Sequence, residues 1–239
     1  MRIPRFHVAE GLRPGARIDL PDETAHHALR VLRLCDGDPL TLFDGRGGEY
    51  EARIVTATRS GVAVEIGEHQ ARERESPLSI TLVQGLSSSD RMDLIIQKAV
   101  ELGVAAIQPV LTAKSVVRLS NERGTAKLEH WQRVVIAACE QCGRNRIPDV
   151  HAAIALRQFN ASESSARVLL SPRATKDLKD LAQERMTLAV GPEAGFDPAE
   201  EDLLAQKGFV AARLGPRILR TETAALAALA ALNALRGDF

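Results

Sequence analysis

Between residues 39 and 67 apolar and polar positions alternate. Tyr50, Ala52 and Ile54 interleave with Glu49, Glu51 and Arg53, and Val62, Val64 and Ile66 continue the rhythm. A period of two sends successive side chains to opposite faces, so these runs predict strands with one buried face. The stretch DGRGG at 44–48 separates residues 40–43 from 49–58, and Arg59-Ser60-Gly61 separates that strand from the next. Strand, turn, strand, turn, strand is an antiparallel meander. Closing such a sheet takes more strands, for which 17–20 is a candidate. Residues 23–34 predict a short helix carrying His26, His27, Arg30 and Arg33. Residues 1–72 therefore read as a small β-rich domain, and the charged stretch RERESP at 72–77 as a linker.

Beyond the linker the rhythm changes. Residues 78–86 are mostly apolar, and Met92, Ile95, Ile96, Ala99 and Leu102 then form one stripe, predicting a helix that begins near Ser89 or Asp90 and stops at Gly103. Residues 105–111 read as a strand. Leu128, Trp131, Val135, Ala138 and Cys142 fall on one face of a helix over 125–142. Residues 168–171 and 187–190 are short apolar strands of the kind buried on both faces. The last helix, ending near Leu235, is almost all Ala and Leu, which predicts burial around its whole circumference. Strands alternating with helices imply an open, mainly parallel α/β sheet over 73–239, with ligands bound beyond the carboxyl ends of its strands.

Three loops carry candidate chemistry. GPEAGF at 191–196 follows the strand at 187–190, and its two glycines let the backbone turn sharply and approach a ligand closely. Asp197, Pro198 and Glu200 then suit the N-cap, first turn and capping box of a helix. The loop is neither GxGxxG nor GxxxxGK[ST], so dinucleotide and P-loop chemistry are not indicated, and a tight structural turn would read the same. LGPRILRTETA at 214–224 opens the Ala/Leu helix. A capping threonine explains one of its polar residues, but not Arg217, Arg220 and Glu222 together. CEQCGRNRIP at 139–148 offers Cys-x-x-Cys, yet a zinc site needs four ligands and a redox pair opens a helix rather than closing one, so these read as packed thiols and no metal is expected.

Composition narrows the picture. Lys plus Arg and Asp plus Glu each number 31, so a polyanion site has to be a local patch. Residues 113–146 supply one: Lys114, Arg118, Arg123, Lys127, Arg133, Arg144 and Arg146 against Glu122, Glu129 and Glu140. Three cysteines imply no disulfide framework, and no apolar run reaches the roughly 18 residues of a membrane span, so a cytoplasmic protein without a membrane partner is expected.

KAVELGV at 98–104, CEQCGRNRIP, GPEAGF and LGPRILRTETA, in that order, resemble the RsmE family, 16S rRNA (uracil-N3)-methyltransferases of the SPOUT class. The opening MRIPRF and the VLRL, GD and LFDG runs between 31 and 45 resemble that family's leading domain, so the likeness spans essentially the whole chain. It implies an α/β protein in which a PUA-like β-barrel (1–72) helps hold RNA. It further implies a SPOUT α/β domain (73–239) ending in a deep trefoil knot, a rare exception to the rule that chains do not thread. S-adenosyl-L-methionine would be held by Leu170, Ser171, Gly191, Pro192, Glu193, Gly195, Leu214, Gly215, Ile218, Leu219, Arg220, Thr223 and Ala224. The resemblance also implies a homodimer with RNA crossing the subunit boundary, and 3-methyluridine at position 1498 of small-subunit rRNA as product. One departure is visible. The family's loop is usually GPEGG, and Ala194 stands where a glycine is expected; a positive φ there would cost alanine about 1 kcal/mol.

Methyl transfer from a sulfonium is an in-line displacement, helped mainly by positioning and electrostatics. Uracil N3 is a weakly acidic imide on the Watson–Crick edge, so the base must be unpaired or flipped, and a general base would raise the rate. Glu222 is the candidate base, with Arg220 and Arg144 as candidates for orienting the uracil or a phosphate. Arg2, Arg5, Arg30, Arg33, Lys114, Arg118, Arg144 and Arg146 are candidate RNA contacts. With one Trp, one Tyr and six Phe, phosphate and shape contacts should outweigh base stacking. Two alternatives stay open: a SPOUT ribose 2′-O-methyltransferase, and an RNA-binding assembly factor without catalysis.

Overall fold

The alternation at 39–67 becomes a five-stranded sheet. Its strands are β1 (Arg5–His7), β2 (Arg17–Asp19), β3 (Pro39–Phe43), β4 (Glu49–Thr58) and β5 (Gly61–Gln70), in the order β1-β3-β4-β5-β2. The meander β3-β4-β5 is antiparallel, as is β2 on β5, while β1 adds to β3 in parallel. Helix α1 (Asp22–His26) runs into a π-helical turn at His27–Val31, so the helix expected over 23–34 is shorter and changes its winding midway. Phe6, Leu40, Leu42, Ile54, Val62, Val64 and Ile66 fill the core beneath the sheet.

The computed structural model describes residues 3–114, 121–163 and 165–239, with backbone only at 121–123. It divides the chain into two units, Met1–Glu75 with Cys139–Ile147, and Ser76–Ala138 with Pro148–Phe239. CEQCGRNRIP therefore folds mostly with the β-rich unit. Glu49, placed by alternation on the polar face of β4, explains why: it is only 4% exposed and sits at the centre of a polar hub. Arg5 pairs with it, Arg72 at 2.8 Å, Arg74 at 3.2 Å, and Asn145 Nδ2 donates to it at 3.3 Å. Arg144 Nε donates to Glu75 at 2.9 Å, and Arg74 Nη1 to the Gly143 carbonyl at 2.8 Å. RERESP is thus no free linker; its side chains fasten the returning loop.

The second unit holds β6 (Ser79–Gly85), α2 (Ser89–Glu101), β7 (Ala106–Leu111), α3 (Asn121–Cys142, whose last turn belongs to the first unit), β8 (Asp149–Val150), β9 (Ile154–Ala155), β10 (Ala166–Leu170), β11 (Lys176–Asp177), β12 (Arg185–Val190), α4 (Pro198–Gln206), β13 (Val210–Arg213) and α5 (Thr221–Arg236). The order β11-β13-β10-β12-β6-β7-β8 is parallel throughout, with β9 also on β7. Helix α5 is not buried all round. Ala225, Ala228, Leu229 and Leu232 are buried, whereas Leu235 is 51% exposed, because α5 packs one face on its own unit. Asn233 fastens that face: its Nδ2 donates to the Leu102 carbonyl at 2.8 Å and its Oδ1 accepts from Ser76 Oγ at 2.6 Å.

Candidate active site

Three neighbouring strands, β13, β10 and β12, end on one cavity of about 240 Å³. Its walls are Leu170–Pro172 after β10, Val190 to Gly195 at the end of β12, Leu214 and Arg217 to Leu219 after β13, and Thr221 and Ala224 of α5. This is the place a parallel sheet offers a ligand. The cavity brings together Leu170, Ser171, Gly191, Pro192, Glu193, Gly195, Leu214, Ile218, Leu219 and Ala224 from the expected cofactor set. Gly215, Arg220 and Thr223 do not line it.

The glycine turn is built by close approach. A Cβ on Gly191 would stand 2.8 Å from the Phe196 nitrogen and 2.9 Å from Gly195 Cα, and backbone cannot yield to it. Gly85, ending β6, is equally tight against Pro192 Cδ, at 2.5 Å for an added Cβ. Gly195 takes φ +68, whereas Ala194 has no positive φ, so the alanine departure carries none of the expected strain. Asp197 and Glu200 then close the expected capping box, and the second carboxylate oxygen of Glu200 accepts from Ala113 N–H at 2.7 Å.

Behind the turn lies a buried polar network that the sequence does not announce. Gln84 Nε2 donates to Thr221 Oγ1 at 3.0 Å, and Thr221 Oγ1 donates to the Gly191 carbonyl at 2.6 Å. These bonds join the end of β6, the glycine turn and the start of α5. Buried from water, they hold the turn in one conformation, although Gln84 Oε1 has no hydrogen-bond partner among the described residues. A second unannounced residue is Arg91, the third of α2. Its Nη1 lies 2.7 Å from Glu193 Oε1, and its Nε lies 3.8 Å from Glu222 Oε2. Burial pushes the Glu193 carboxyl up, but hydrogen bonds from its own backbone, Arg91 and Ser88 N–H outweigh that and leave it below the usual carboxylate range. The one sequence signal for Arg91 is a basic residue in a helix's first turn, against the helix dipole.

Glu222 sits in the first turn of α5 with its side chain 14% exposed, and its Oε2 is buried without a hydrogen-bond partner among the described residues. Arg220 is the exposed N-cap of the same helix. Lys114 is exposed and its Nζ donates to the Ala194 carbonyl at 3.4 Å, beside the cavity. Arg30, Arg33 and Arg146 are exposed, and Arg33 adopts φ +56. Arg2 and Arg118 lie outside the described residues. For Arg5 and Arg144 the expected RNA contact gives way to a framework role: both side chains are 7% exposed and neutralised by Glu49 and Glu75. Burial pushes the Cys139 thiol up to about 12. Among the described residues no group of three or more His, Cys, Asp or Glu is placed to hold a metal ion, and no helix is long and apolar enough to cross a membrane.

Comparison with known proteins adds names to this geometry. An RNA methyltransferase domain family matches residues 74–233, and an RNA methyltransferase PUA domain family matches 20–67. The chain is similar to the ribosomal RNA small subunit methyltransferase E of Buchnera aphidicola (subspecies Acyrthosiphon pisum), 31% identical over all of this chain and 96% of that protein. It is 34% identical to the protein of that name from Bacillus subtilis, over 90% of this chain and 91% of the other. Among solved structures it resembles the ribosomal RNA small subunit methyltransferase E of Neisseria gonorrhoeae bound to S-adenosyl methionine, with TM-score 0.93, 42% identity and all of both chains covered.

Proposed function

The chain belongs to the ribosomal RNA small subunit methyltransferase E family, and from that membership we propose that it methylates N3 of a uridine, at position 1498 of 16S rRNA, using S-adenosyl-L-methionine. The observation that carries this reading is the cavity itself, in which three turns far apart in sequence meet beyond β10, β12 and β13. Its donor set fits the cofactor. Leu170, Val190, Leu214, Leu219 and Ala224 would offer apolar surface to a flat purine, backbone groups of the two turns would supply polar partners, and Glu193 would suit a cationic group. When bound, S-adenosylmethionine supplies a methyl carbon activated by its sulfonium. Gly191 and Gly195 let the backbone close on that ligand, and Gln84 and Thr221 keep the turn preorganised, so little ordering remains at the moment of reaction.

Glu222 is the proposed base: its carboxylate, whose Oε2 has no hydrogen-bond partner among the described residues and faces Arg91 Nε at 3.8 Å, takes the N3 proton of an extruded uracil, leaving the nitrogen lone pair free to attack. Arg220, exposed at the start of the same helix, is placed to orient the uracil or its phosphate. Arg30, Arg33, Lys114 and Arg146, all exposed, are proposed to meet the RNA backbone. The PUA match and the five-stranded sheet support a barrel in the first unit, and the order β13-β10-β12, flanking one strand from both sides before α5 begins, supports a C-terminal trefoil knot. The open apolar side of α5 supports a homodimer, and the proposed ribosomal RNA substrate supports a cytoplasmic enzyme.

Calorimetry with S-adenosylmethionine, paired with turnover on 16S rRNA, tests the site. Wild-type protein is expected to bind the donor, and Glu222→Gln still to bind it, weakened only by loss of its 3.8 Å contact with Arg91, while losing roughly 10²–10⁴-fold in turnover, the usual contribution of a positioned base. Undiminished turnover in Glu222→Gln removes the proposed base; absence of donor binding by the wild type removes the cofactor site.

A further inference from the structure

Arg91 stands where helix electrostatics disfavour it. In the first turn of α2 the unpaired N–H groups present partial positive charge, and a guanidinium adds to it. Two carboxylates compensate. Glu193, in the turn after β12, accepts from Arg91 Nη1 at 2.7 Å and from Ser88 N–H at 3.2 Å, and Glu222, in the first turn of α5, faces Arg91 Nε at 3.8 Å. One side chain thus ties three elements, two of which carry walls of the cavity. Arg91 is more than a third exposed, and exposed pairs add little to folding. What the contact does supply is geometry: without a cation between them, the two carboxylates would repel and the glycine turn would lose its outer tether.

We propose that Arg91 is a positioning residue for methyl-donor binding, acting through Glu193 and Glu222 to hold the glycine turn against the start of α5. The assignment rests on the cavity being the S-adenosylmethionine site. Lysine cannot replace it fully, because a point charge reaches one carboxylate where the planar fork reaches both.

The test is calorimetric binding of S-adenosylmethionine to wild type, Arg91→Ala, Arg91→Lys, Glu193→Gln and the Arg91→Ala/Glu193→Gln double variant. Arg91→Ala is expected to weaken binding roughly tenfold, as loss of one charge-assisted hydrogen bond does, with a thermal midpoint close to wild type. Arg91→Lys, which keeps the charge and hence the fold, is expected to fall between the two. The double variant should be no weaker than about twofold below the poorer single one, since both changes break one contact. A merely structural role would lower the midpoint and leave donor affinity close to that of wild type. If wild type binds the donor and both Arg91 variants bind within about twofold of it, or the effects add, the assignment of Arg91 is overturned while the cofactor site stands. If wild type binds no donor, the reading of the cavity fails first and that of Arg91 with it.

Discussion

At the scale of single residues the site depends on where a Cβ can and cannot go. A Cβ on Gly191 would collide with the Gly195–Phe196 backbone, so Gly191→Ala must displace the turn and is expected to weaken donor binding by roughly tenfold or more. Ala194 lies in the same turn without a positive φ, so Ala194→Gly should bind the donor within about twofold of wild type. Measuring the pair by calorimetry separates a steric requirement from a general preference for glycine; equal losses would contradict it. The cysteines differ as sharply. Burial raises the Cys139 thiol to about 12 and so suppresses its thiolate at neutral pH, whereas Cys35 is exposed. Iodoacetamide at pH 8 should label Cys35 and leave Cys139 untouched in the folded protein, as mass spectrometry of the digest would show. The glycine spacing of GPEAGF made this turn legible from sequence. Arg91 and Gln84 were not, because their partners lie about a hundred residues away and leave no local pattern.

At the scale of elements, the loop Cys139–Ile147 shows how distant charges decide which unit a segment joins. Its Asn145 bonds Glu49 and the Arg72 carbonyl, and Arg5 also reaches Asn145, at 2.6 Å. Replacing Glu49 by Gln leaves Arg5 buried without its counter-charge and should destabilise the first unit by about 3 kcal/mol, read from its denaturation midpoint. Acid should do the same. Burial alone would raise the Glu49 carboxyl, but the combined bonds from Arg5, Arg74 and Asn145 hold it below its ordinary value of 4.5. A depressed carboxylate contributes stability above its unfolded value and loses it as pH falls through the folded one, so the first unit should weaken below about pH 4.5. Hydrogen exchange across that range measures it, and Glu49→Gln should flatten the dependence.

The same elements show what pattern can and cannot reveal. The meander β3-β4-β5 and helix α2 follow their apolar periods closely, because each buries one continuous face. β8, β9 and β11 have two residues each, too few for any period, and are strands only through their neighbours in the parallel sheet. The alternation that located β4 put Glu49 on its solvent side; only the arginines and Asn145 gathered by tertiary structure explain its burial. The Ala/Leu run of α5 predicted a helix buried all round and so missed its open side, which includes Leu235 and continues to an exposed Phe239.

At the scale of the whole molecule that open apolar face, in the proposed homodimer, is covered by a second copy. Sedimentation equilibrium at micromolar concentration should return twice the 25.9 kDa chain mass, and a chain-mass species would count against the dimer. Neutral net charge with arginines exposed at Arg30, Arg33 and Arg146 fits binding that is local and salt-dependent rather than a general affinity for polyanions. The most direct measurement is mass spectrometry of nucleosides and fragments of 16S rRNA from cells lacking the chain, before and after it is restored. 3-Methyluridine at position 1498 should be absent without the chain and return with it. An unchanged 3-methyluridine content, or loss of a 2′-O-methyl mark in its place, would contradict the assignment.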